Sequence, residues 1–119
     1  MFDATPNFTE QTRYLTKYHL DNGHIIDGIF LTHAHIGHYT GLMYLGFEAL
    51  GAEQVPVYMM PRMKQYIENN GPWSQLVSYN NIDIRKMKND SVMSLESDIK
   101  ITPLVVPHRD EFSEQNPVR

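Results

Sequence analysis

The stretch Ile29-Phe30-Leu31-Thr32-His33-Ala34-His35-Ile36-Gly37-His38 constrains this chain more than any other. Its apolar head, Ile29 to Leu31, reads as a short buried strand, and three histidines follow within six residues. On an extended backbone His33 and His35 project from one face, because side chains alternate with period two. His38 lies three residues further on, where the chain must turn, and Gly37 beside it permits backbone angles that other residues resist. Three imidazoles converging at a strand end form a site for a transition metal. A single histidine is more often an ordinary core or surface residue, but three at H-x-H-x-x-H spacing after a buried strand point to ligation.

The surrounding pattern alternates strands and helices. Met1-Phe2-Asp3 reads as the tail of a strand, and Pro6 suits the first turn of a helix capped by Thr5. From Asn7 to Tyr18, Phe8, Tyr14, Leu15 and Tyr18 share a helical face loosely. Asp21-Asn22-Gly23 marks a turn, which leaves His19 and His24 as capping or surface residues. Gly28 to Thr32 is the strand that delivers the histidines. Leu42, Leu45, Gly46, Ala49 and Leu50 then recur at helical spacing, with Gly51 as the stop. A second strand runs from Val55 to Met60, and Pro61 opens a helix over Arg62 to Asn69. Trp73 anchors a compact turn or short helix, or else lines a substrate pocket. Strand–helix–strand order implies parallel pairing. Further on, Asn81 to Met87 alternates as a half-buried strand, Lys88-Asn89-Asp90 makes a hairpin turn, Ser91 to Leu95 returns, and Ile99 to Val106 is a last, antiparallel strand.

Charge and composition narrow the function classes. Fourteen acidic residues against ten Lys and Arg give a net charge of −4 with histidines neutral, which argues against broad phosphate attraction and hence against a nucleic-acid surface. Arg85, Lys86 and Lys88 mark a solvated strand end. Without cysteine the chain has neither disulfides nor thiolate ligands, so any metal is held by His and carboxylates. No run of 18 apolar residues and no signal segment is seen, so the expectation is a soluble protein of open compartment without a membrane partner. No Gly-rich phosphate loop or G-x-S-x-G motif is present.

Thr32-His33-Ala34-His35-Ile36-Gly37-His38 resembles the metal-binding signature H-x-H-x-D-H of the metallo-β-lactamase superfamily, with Gly37 in place of the aspartate. Phe2-Asp3-Ala4-Thr5-Pro6 and Val106-Pro107-His108-Arg109-Asp110-Glu111-Phe112 resemble the branch that holds coenzyme PQQ biosynthesis protein B and phosphodiesterase-like hydrolases. The resemblance implies an α/β fold, an αββα sandwich of which residues 1–119 form a single partial domain, about its first half. It implies His33, His35 and His108 as ligands of one metal site and His38 as a remnant of a second that Gly37 depletes. Zinc is the expected ion, one per chain, with iron or manganese as alternatives.

Asp3 then corresponds to an acidic residue that holds the metal loop by accepting hydrogen bonds. Asp110 and Glu111, beside His108, offer a general base and an orienting partner, set against a plain solvated loop. The implied activity is hydrolysis of an ester, amide or phosphodiester in a small-molecule substrate by metal-bound water. The alternative is a non-hydrolytic metal-binding or cofactor-biosynthesis protein of the PQQ type. With half the sandwich present, weak catalysis and self-association through an uncovered sheet face are expected.

Overall fold

The computed structural model describes residues 1–18, 25–96 and 98–108. His19, His24, the turn at Asp21-Asn22-Gly23, Asp110 and Glu111 lie outside them. Helix α1 spans Phe8–Tyr18, β1 Ile29–Phe30, α2 Ile36–Tyr39, β2 Val55–Met59, α3 Pro61–Asn69, α4 Trp73–Ser78, β3 Ile82–Lys86, β4 Met93–Ser94 and β5 Lys100–Ile101. A 3-10 helix over Thr40–Leu45 continues α2.

Strands β1, β2 and β3 form a parallel sheet in that order, with Ile29 opposite Val57 and Val57 opposite Ile84. Phe2 adds a parallel bridge to Phe30, with the Phe30 N–H on the Met1 carbonyl at 2.9 Å and the Asp3 N–H on the Phe30 carbonyl at 2.8 Å. Residues 1–3 therefore run beside β1, as the reading of Met1-Phe2-Asp3 as a strand tail requires.

Alternation splits the sheet into two faces. Ile29, Val55, Val57, Met59 and Ile82 join Phe8, Leu42, Leu45, Ile67 and Leu76 in one buried cluster. The other face carries Phe2, Phe30 and Tyr58, with ring centroids 5.5 Å apart for Phe2–Phe30 and 4.3 Å for Phe30–Tyr58. A groove of about 990 Å³ runs along it, between Phe30, Pro56 and Tyr58 on one side and Leu95 and Ile99 on the other. None of the described histidines lines that groove. Among the described residues, no helix is long and apolar enough to cross a membrane.

Several elements depart from the sequence pattern. Tyr14 and Tyr18 are exposed and pair with each other, so the buried stripe of α1 is Phe8 and Thr12 with Leu15 packed against it. The helix expected over Leu42–Leu50 begins earlier and tightens into 3-10 form. Within it the Gly41 N–H leaves the helical ladder to bond the Ala4 carbonyl at 2.8 Å. Gly51 does close this region, at φ +55.

The hairpin expected between residues 81 and 95 does not form, since β3 pairs along its length with β2 while β4 pairs with β5 in antiparallel. Turn 88–91 is clamped to the last segment instead. The Asp90 N–H bonds the Pro103 carbonyl and the Val105 N–H bonds the Asn89 side chain, both at 2.8 Å. The last strand shrinks to Lys100–Ile101, and Pro103 and Pro107 lack the N–H groups that a longer ladder needs. Trp73 is buried and meets Tyr39 edge-to-face at 5.1 Å, a core anchor rather than a pocket wall.

Candidate metal centre

Parallel α/β sheets gather their ligand sites at the carboxyl ends of the strands. Here the Leu31 N–H still bonds the Tyr58 carbonyl at 2.9 Å, and the chain leaves the sheet directly afterwards. His33 and His35 follow, His35 on extended backbone, and His38 lies inside the first turn of α2. The clamp between turn 88–91 and residues 103–105 carries the last segment back to the same edge, where His108 meets the cluster. Ring centroids lie 4.7 Å apart for His33–His35, 4.7 Å for His33–His108, 4.5 Å for His35–His108 and 4.0 Å for His33–His38. Four histidines that the sequence analysis singled out thus share one patch of surface.

Two donor sets can be drawn from them: His33, His35 and His108, and Asp3, His33 and His38. In each set the ligand atoms lie within 4.8 Å of one another. In the first set His35 Nδ1 and His108 Nε2 are 3.2 Å apart. Two nitrogens bound to one tetrahedral zinc at the usual bond length stand about 3.3 Å apart, so this donor set fits such an ion with little movement. Neutral imidazoles suit a borderline cation of this kind.

The second set is committed elsewhere. The Asp3 carboxylate accepts the Thr32 N–H on Oδ1 at 2.8 Å and His38 Nδ1 on Oδ2 at 2.7 Å. Thr32 Oγ1 lies 2.9 Å from each of its oxygens. Three donors thus fall on Asp3, which holds the loop. At Gly37 an added Cβ would meet nothing within 4 Å among the described residues.

Burial and the positive neighbours His38, His35 and His108 hold the His33 pKa below its ordinary 6.5, against the pull of Asp3. The folded protein then binds fewer protons than the unfolded chain as pH drops through 6.5, so stability rises with pH in that window. The His33 contribution is complete above 6.5 and is lost progressively below it. We expect the thermal midpoint of the metal-free protein to fall between pH 7 and about pH 5, and less steeply in His33→Gln. Parallel midpoint-against-pH curves for the two proteins would refute this.

Two residues important to this geometry were not singled out from the sequence. In the sequence Thr32 stands as a strand end and as the head of the histidine motif, with no role of its own, and its hydroxyl contacts both Asp3 and His33. Gly41 carries no signal in the sequence pattern. The threonine directly before the first histidine was the available signal for the former. For the latter the sequence offers none, because the close approach involves residues about 35 positions away.

A family profile described as beta-lactamase superfamily domain matches residues 1–118. Against curated protein sequences the chain has no match. Among solved structures it is similar to Zn(2+)-bound PqqB from Methylobacterium extorquens, with a TM-score of 0.69 and 16% identity. That alignment covers 89% of this chain and 37% of PqqB, so the chain spans little more than a third of that protein's length.

Proposed function

Because this chain belongs to the beta-lactamase superfamily, with the metallo-β-lactamase fold, we propose that it carries the metal-holding edge of a metal-dependent hydrolase. The observation that supports the reading best is the meeting of His35 and His108, 73 positions apart, beside His33. His33, His35 and His108 would hold one zinc ion. When bound, such an ion supplies Lewis acidity, which acidifies water and polarises an ester, amide or phosphodiester. The chain's own part is positional. Asp3 ties Thr32 and His38 to the end of β1, so the histidine loop is pre-formed before an ion arrives. All four rings are half-buried or exposed, which leaves the site open to a small-molecule substrate.

A specific observation favours a second reading, a metal-binding protein of the PQQ-biosynthesis type without hydrolysis. Gly37 itself offers a second ion no side chain, and the solved structure to which the fold is similar is itself a zinc-bound PqqB. Elemental analysis after dialysis, followed by assays with a generic phosphodiester and a lactam, separates the two. About one zinc per chain is expected on either reading. Metal-dependent turnover supports the hydrolase, and bound zinc without turnover supports the second reading. A folded protein that retains no metal overturns both.

A further inference from the structure

We infer that Thr32 is a positioning residue: its hydroxyl relays the Asp3 carboxylate to His33 and fixes the tautomer in which His33 offers Nε2 to the metal. This deepens the metal-site reading above and rests on it. Thr32 Oγ1 lies 2.9 Å from both oxygens of Asp3 and 2.8 Å from His33 Nδ1. A hydroxyl has one hydrogen, and a carboxylate can only accept. The hydroxyl therefore donates to Asp3, and its lone pair is left to accept Nδ1–H of His33. The opposite assignment would set the hydroxyl oxygen against the carboxylate with no proton between them.

In a neutral imidazole one nitrogen carries the hydrogen and the other the lone pair, so a proton held on Nδ1 leaves Nε2 as the ligand atom. His38 is set in the same sense by donating directly from Nδ1 to Asp3. His35 is the reverse case, since it turns Nδ1 towards His108. One carboxylate thus orients two rings of the loop, one directly and one through a hydroxyl.

The backbone supports the arrangement. Asp3 sits at φ 58, a left-handed conformation that a non-glycine residue keeps only where its surroundings over-determine it. Bonds from the Asp3 N–H to the Phe30 carbonyl at 2.8 Å and from the Ala4 N–H to the His38 carbonyl at 2.9 Å supply that constraint. The carboxylate is therefore aimed by the main chain on both sides of it.

The test is nitrogen-15 NMR of the histidine rings in the metal-free protein, joined to zinc calorimetry on wild type, Thr32→Val and Thr32→Ser. Valine keeps the shape and the backbone N–H bond to Asp3 but removes the relay. We expect His33 as the Nδ1–H tautomer in wild type and in Thr32→Ser, and a mixture in Thr32→Val. Zinc affinity should drop about 10–100-fold in Thr32→Val and be restored in Thr32→Ser. An Nε2–H tautomer of His33 in wild type, or unaltered zinc affinity in Thr32→Val, overturns the relay. Should Thr32→Val not fold, the wild-type spectrum and Thr32→Ser decide the matter. Wild type that binds no zinc overturns the metal reading, while the tautomer is still readable, so the two failures are distinct.

Discussion

We expect His35→Ala and His108→Ala each to lower zinc affinity by more than about 100-fold, because loss of an outer partner alone costs 10–100-fold and these two are the facing donors of the proposed site. Their nitrogens stand 3.2 Å apart, and neither residue belongs to the buried core, so the fold survives their removal. His24→Ala is the matched control, a histidine that the sequence places on a turn, and it binds zinc as wild type does. Calorimetric titration of the three variants, with circular dichroism to verify folding, makes the comparison. Equal losses in all three would put the site elsewhere. A loss in His35→Ala without one in His108→Ala would show that the downstream histidine does not close the set.

Gly41→Ala destabilises the protein by about 3 kcal/mol or more, at the upper end of overpacking costs. A Cβ on Gly41 would lie 2.3 Å from the Thr5 carbonyl oxygen, 2.7 Å from the Phe8 Cβ and 2.8 Å from the Ala4 carbonyl carbon. Two of these neighbours are backbone atoms and cannot swing aside as a flexible side chain does. The same displacement stretches the bond from the Gly41 N–H to the Ala4 carbonyl, worth about 1 kcal/mol. In a chain this short the thermal midpoint should fall by roughly 10 °C or more.

Gly37→Ala is the contrast, since its Cβ would meet nothing within 4 Å and its position is helical. Alanine there is neutral or stabilising by up to about 1 kcal/mol. Differential scanning calorimetry of the two variants decides, and similar midpoints would refute the packing argument. Zinc affinity should fall in Gly41→Ala as well, because Asp3 immediately precedes the displaced Ala4-Thr5 backbone.

Local chemistry was legible in the residues themselves. Ile29–Phe30, Val55–Met59 and Ile82–Lys86 announced strands through apolar and alternating runs, and Pro61 announced the start of α3. Spacing put His33, His35 and His38 at one strand end, and the resemblance of Val106-Pro107-His108 to its family segment supplied the fourth histidine. Such signals are carried by neighbours in sequence, where periodicity and turn chemistry act directly on the backbone.

What needed the tertiary structure is set by contacts between distant residues. Nothing near Gly41 shows that its N–H will bond Ala4, and where a helix is expected over Leu42–Leu50 the chain forms a 3-10 helix over Thr40–Leu45. The pairing of β4 with β5 depends on Asn89 and Asp90 holding residues 103–105, which no local pattern records. Asp3 and Thr32 are 29 positions apart, and only the parallel bridge of Phe2 to Phe30 brings carboxylate, hydroxyl and imidazole into line. Sequence alone determined which side chains could bind a metal. The crossing of distant backbone segments decided what stands beside the rings, setting Thr32 against Nδ1 of His33 and Asp3 against Nδ1 of His38.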